Sequence, residues 1–163
     1  MPHTYWLYGS ELSPFSLKLR AMCDYVALPY TWVPGEGTRW QAIAASALVE
    51  AARRGRVNIH YPRMSELDEL PLVPFLIEDR RRVMYDSTAL ASWLDARAPH
   101  AAPLIPADPA LAFVAAWLDE AFDEFGLYLV HHNRWVVSAA DNNAGERLGR
   151  EYSVLTGKRL GKR

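Results

Sequence analysis

Cysteine is nearly missing from this sequence: its 163 residues include one, Cys23. A single thiol excludes an intrachain disulfide and a cysteine-built zinc site, and it fits a reducing compartment. No apolar run approaches the roughly 18 residues a membrane span requires. The opening residues, Met-Pro-His-Thr-Tyr-Trp-Leu-Tyr, hold no basic segment followed by an apolar stretch. The expectation is a cytoplasmic protein without a secretory leader or membrane contact. Surplus positive charge is also lacking: 18 Lys and Arg stand against 19 Asp and Glu, a formal net charge of -1. That balance argues against nucleic acid as a partner, because phosphate neutralisation needs clustered cations. The rest of the composition is ordinary for a globular chain, with 50% hydrophobic and 23% charged residues and enough length to bury a core.

Thr4 to Tyr8 is a short aromatic and β-branched run ended by Gly9-Ser10, and it reads as a strand. Ser13 before Pro14 pairs a favoured N-cap with a favoured first helical residue. From Pro14 to about Leu28 the apolar residues Phe15, Leu19, Met22 and Val26 keep helical spacing. Pro29 closes that helix, and Tyr30 to Val33 reads as a second strand. The βαβ order predicts a right-handed crossover and a parallel strand pair. Thr38 to about Arg54 reads as an Ala-rich helix stopped by Gly55, and 56–70 as loop. Leu72 to Ile77 and Arg82 to Tyr85 form an antiparallel hairpin in this reading, with Pro74 at the start of its strand, where no ladder donor is lost. Asp86-Ser87 then caps a helix from about Thr88 to Arg97.

Pro103, Pro106 and Pro109 mark a linker. Beyond it Leu111, Ala115, Leu118, Phe122, Phe125 and Leu129 recur at spacings of four and three, the pattern of a strongly amphipathic helix reaching about Trp135. A weak helix near Glu146 to Leu155 and a frayed basic tail complete the reading. The expected organisation is a first domain over 1–98, a linker over 99–109 and a short helical region over 110–163. No metal is expected, since the adjacent His131 and His132 point about 100° apart on a helix and cannot share an ion.

Three places carry the chemistry: Ser13-Pro14-Phe15-Ser16 where a strand turns into a helix, Val73-Pro74 before the third strand, and Asp86-Ser87 at the last helix of the first domain. A helix N-terminus offers unpaired N–H groups and partial positive charge, which favour an anion. A thiol with a pKa near 8.5 is mostly neutral at pH 7, and lowering it one unit takes about 1.4 kcal/mol of preference for the thiolate. One hydroxyl donor aimed at the sulfur supplies about that much. A cis peptide before Pro74 would turn the Val73 N–H and C=O outward to pair with a peptide ligand as an added strand does. Ser10 and Tyr8 are rival donors near Ser13, and an N-cap alone is the plain alternative for Ser13.

In this order Ser-Pro-Phe-Ser-Leu-Lys-Leu-Arg (13–20), Leu-Pro-Tyr (28–30), Val-Pro-Phe-Leu (73–76) and Asp-Ser-Thr-Ala-Leu with Trp-Leu (86–94) resemble the glutathione transferases, most closely the serine enzymes of the tau and zeta types. The resemblance implies a thioredoxin-like α/β domain, βαβ-α-ββα with a mixed four-stranded sheet, followed by a truncated all-α region. It implies glutathione as co-substrate and an electrophilic small molecule as its partner in reaction. Ser13 would hydrogen-bond the thiolate and Val73, before a cis Pro74, would pair with the cysteinyl backbone. Asp86 and Ser87 would hold the γ-glutamyl group, and Phe15 would belong to the same glutathione site. A homodimer is the family expectation, and the apolar helix agrees with it.

Two departures stand out. The distance from Tyr30 to Pro74 exceeds the family's usual spacing, which places an insertion at about 36–66. The family's helical domain is also much longer than the stretch after residue 109, so most of the usual electrophile pocket is missing. A non-catalytic binding or assembly module is therefore the alternative to an enzyme. A glutaredoxin-like oxidoreductase is disfavoured, because serine stands at both positions where that chemistry needs cysteine.

Overall fold

Two N-caps visible in the sequence set the frame of the first domain. The computed structural model describes residues 3–35, 38–60, 73–97 and 103–156. β1 (Tyr5–Gly9) leads into α1 (Pro14–Tyr25), where Ser13 is the N-cap and its oxygen accepts from the Ser16 N–H. β2 (Tyr30–Pro34) returns parallel to β1, with Tyr5 opposite Tyr30 and Tyr8 opposite Val33. α2 (Arg39–Arg53) then crosses the sheet to β3 (Asn58–His60). β4 (Phe75–Glu78) and β5 (Arg82–Tyr85) form the expected antiparallel hairpin. Its three-residue turn holds Asp79 and Arg80 at φ of 51 and 54, and the Arg81 N–H donates to the Glu78 carbonyl at 3.0 Å, a left-handed pair whose twist suits the flanking strands. Asp86 caps α3 (Ser87–Asp95) by accepting from the Thr88 and Ala89 N–H groups.

The strand order is β2-β1-β4-β5-β3. The four strands expected from the sequence are all present, and β3 adds a fifth at the edge, parallel to β5. Reading 56–70 wholly as loop is corrected here: three residues are too few to display a period, and only pairing with β5 makes them a strand. Residues 36–37 and 61–72, within or next to the expected insertion, lie outside the described residues, as do 99–102 of the linker and the basic tail 157–163.

Alternation along the strands splits the core in two. Tyr5, Leu7, Leu76 and Met84 face α1 and α3, where Leu19, Cys23, Leu90, Trp93 and Leu94 meet them. Tyr8, Phe75, Ile77, Val83 and Tyr85 face α2 and pack on Ala45, Val49 and Ala52. Cys23 is fully buried, and burial pushes its thiol up to about 12. It is a small core side chain rather than a nucleophile.

Beyond the linker, α4 (Pro109–Ala121) starts on an Asp108 cap. It continues through a π-helical segment (Phe122–Gly126), α5 (Leu127–His132) and a second π-helical segment (Asn133–Val137). After this rod comes α6 (Ala144–Thr156). The side of the rod turned to the first domain carries Asp119, Asp123 and Arg134. The apolar stripe faces away from it, and Leu111, Leu118, Phe122, Phe125 and Leu129 are between 44% and 72% exposed. Among the described residues no helix is long and apolar enough to cross a membrane.

Candidate functional site

Sheet register brings the three chemical segments together. Tyr8 lies opposite Phe75, and Phe75 lies opposite Tyr85. One residue beyond that row stand Gly9, Pro74 and Asp86, so the Ser10–Ser13 loop, Val73-Pro74 and Asp86-Ser87 share one edge of three adjacent strands. Neighbouring strands are about 4.8 Å apart, so the edge is about 10 Å across from β1 to β5, close to the length of an extended tripeptide. Two helix N-termini, those of α1 and α3, open there. Their combined partial charge favours anionic groups.

The loop before α1 is tightly held. The buried Ser16 hydroxyl accepts from the Ser10 N–H at 3.2 Å, the Ser10 hydroxyl accepts from the Leu12 N–H at 3.1 Å, and the Ser10 carbonyl accepts from the Ser13 N–H at 3.1 Å. Ser13 is only half-buried. Its oxygen accepts from the Ser16 N–H at 3.3 Å, which leaves its O–H free in direction to donate. The two rival donors lie in different surroundings. The Tyr8 hydroxyl lies 3.0 Å from the Ser46 hydroxyl on the α2 side of the sheet, and burial raises its pKa. Ser10 is buried within the loop.

Val73-Pro74 is a cis peptide, with Val73 half-buried and Pro74 buried. Asp86 has φ 73 and ψ 108, outside the usual basins for a residue with a side chain. Such backbone costs of order 1–3 kcal/mol and tends to occur at binding sites. Its Oδ1 accepts from Thr88 N–H at 3.0 Å and Ala89 N–H at 3.1 Å. Ser87 is buried behind it, and Phe15 is half-buried in the first turn of α1.

Other residues that frame this edge went unnoticed in the sequence. Lys18 of α1 reaches Asp119 at 2.6 Å, Asp123 at 2.7 Å and the Thr88 hydroxyl at 2.9 Å. The cluster ties both site helices to α4. Arg134 donates to the Leu12 carbonyl, and Arg147 of α6 pairs with Glu11 at 2.8 Å. The polar face of an amphipathic helix reads as solvated by default, so no local signal separates these residues from ordinary surface charges.

A βαβ unit, a hairpin led by a cis-proline and a capped helix closing the same edge define a thioredoxin-like domain. The family model described as "Glutathione S-transferase, N-terminal domain" matches residues 7–103, more than half of the chain. The chain belongs to the glutathione S-transferase family. No curated protein matches it. Among solved structures, a Tau class glutathione S-transferase from mango, Mangifera indica, is similar at 14% identity and a TM-score of 0.52, over 92% of this chain and 57% of that one. A glutathione S-transferase from Methylobacterium radiotolerans, in complex with glutathione sulfonate, is 22% identical with a TM-score of 0.51, over 94% and 63%. One from Methylobacillus flagellatus with GSH bound is 19% identical with a TM-score of 0.50, over 93% and 66%. The chain thus spans less than two thirds of each of these structures.

Proposed function

We propose that this chain binds glutathione along the edge formed by the ends of β1, β4 and β5 and activates its thiol for attack on an electrophilic small molecule. The observation that carries the reading is the convergence of Ser13, cis Val73-Pro74 and Asp86-Ser87 on one sheet edge. In this reading the cysteinyl main chain pairs with Val73 as an added strand, and the γ-glutamyl group lies at Asp86 and Ser87. The sulfur sits at the start of α1, beside Ser13 and Phe15. The glutathione thiol releases its proton to solvent, and the Ser13 O–H donates to the thiolate that remains. The sulfur lone pair then forms a C–S bond to the electrophile, and the leaving group departs with its bonding pair. The glutathione sulfonate complex of the Methylobacterium radiotolerans protein and the GSH complex of the Methylobacillus flagellatus protein support the first half of the reading.

Titration calorimetry tests binding: glutathione is expected to bind with the micromolar to millimolar affinity usual for a co-substrate. Absence of heat and of retention on immobilised glutathione would overturn the assignment. Conjugation with an activated aryl chloride tests the second half. Binding without turnover would favour the non-catalytic module.

A homodimer is part of the proposal. Phe113, Trp117, Phe122, Phe125, Tyr128 and Leu129 are each at least 63% exposed, and an apolar surface of that extent is unusual for a free monomer. Light scattering is expected to give about twice the 18.4 kDa of one chain. A monomer at micromolar concentration would remove the dimer from the proposal.

A further inference from the structure

The loop that presents Ser13 is gripped from far along the chain. The Arg134 guanidinium donates to the carbonyl of Leu12, the peptide group directly before Ser13. Arg134 lies in the second π-helical segment, which ends the rod. Its main chain is also fixed, because the Asn142 side-chain amide donates to the Arg134 carbonyl at 2.7 Å and to the Ser138 carbonyl at 2.6 Å. The Asn142 side-chain oxygen accepts from the Ala144 N–H at 2.9 Å. The same turn therefore ends the long rod and starts α6, whose Arg147 holds Glu11. Two helices of the helical region thus reach the β1–α1 loop together.

We infer that Arg134 is a positioning residue for the glutathione thiolate, acting through the loop that carries Ser13. Held by a guanidinium, the Leu12 carbonyl has its direction fixed, and with it the peptide plane from which Ser13 projects. The charged groups that the described contacts bring to this end of the sheet are Glu11, paired with Arg147, Lys18, paired with Asp119 and Asp123, the α3 cap Asp86, and Arg134 itself. The inference rests on the proposed glutathione site, and it makes the helical region part of that site.

The test is a pH titration of the thiolate absorbance of glutathione bound to the full chain, compared across variants. In the wild type a thiolate signal below the pH at which free glutathione ionises is expected. In Arg134→Ala the thiolate pKa is expected to rise by about one unit, a tenfold effect, with glutathione affinity changed less than about threefold. Arg134→Lys, which keeps the charge and one donor, is expected to recover part of the shift. Because Arg134 acts through Ser13, adding Arg134→Ala to Ser13→Ala is expected to move the pKa no further. An unchanged pKa in Arg134→Ala, or an equal shift in both backgrounds, overturns the inference. If Arg134→Ala does not fold, an Arg134→Lys pKa equal to that of the wild type overturns it instead. Failure of the wild type itself to bind glutathione overturns the proposed function, a result read before any variant is made.

Discussion

Ser13→Ala is expected to lower kcat/KM for conjugation of an activated aryl chloride by about a hundredfold, the usual effect of removing one well-placed donor to a developing or stabilised anion. The difficulty is that Ser13 also caps α1, through the Ser16 N–H at 3.3 Å. Loss of an N-cap oxygen costs about 1 kcal/mol of stability, so a drop in activity alone does not isolate the donor. Ser13→Asp separates the two roles. Its carboxylate restores the cap and favours the helix N-terminus, yet it cannot donate and it repels a thiolate. Stability near that of the wild type with activity still lost is the expected result, measured by urea unfolding and initial rates. Ser13→Thr keeps a hydroxyl and is expected to retain part of the rate. Ser13→Ala with more than about a third of wild-type kcat/KM would remove the serine from the chemistry.

Gly9→Ala is expected to destabilise the fold by about 2–4 kcal/mol, the range for overpacking a closed contact. A Cβ at Gly9 would stand 2.6 Å from the Ser16 hydroxyl oxygen, 2.9 Å from its Cβ and 3.1 Å from the Trp32 ring. Ser16 is fully buried and anchored by the Ser10 N–H, so neither side has room to yield. The close approach is what brings the start of α1 against the end of β1, and with it Ser13 to the sheet edge. Ser16→Gly is expected to relieve most of the clash, so the pair should be strongly non-additive in a double-mutant cycle. Gly149→Ala in α6 is the control, since nothing lies within 4 Å of its added Cβ. It is expected to be neutral or stabilising by up to about 1 kcal/mol. A Gly9→Ala urea midpoint equal to the wild type's would refute the packing argument.

Much of the first domain was legible because its signals are local. Ser13-Pro14 and Asp86-Ser87 announce helix starts through side-chain oxygens that reach N–H groups two or three residues on. The hairpin announces itself through two short apolar runs around a charged turn. β3 was not legible, for it consists of three residues whose only reason to extend is the edge of β5. Where Tyr8 and Ser10 sit relative to Ser13 needed tertiary information as well. Strand alternation sends Tyr8 to the α2 side, and the fold of the loop buries Ser10.

The long helix shows the same division. Its period of four and three was plain, and so was the length of its apolar stripe. Which side of it meets the first domain was not, because the stripe turns out to face outward while Asp119, Asp123 and Arg134 reach Lys18, Thr88 and Leu12. By itself, then, the sequence determined where helices and most strands begin and end, since caps, turns and periods act over a few residues. It also determined that a serine stands where redox relatives need cysteine. Only the tertiary structure decided which of these ends share an edge and which distant arginine holds the loop. Register across a sheet and contacts spanning more than a hundred residues depend on packing between elements, which no local pattern encodes.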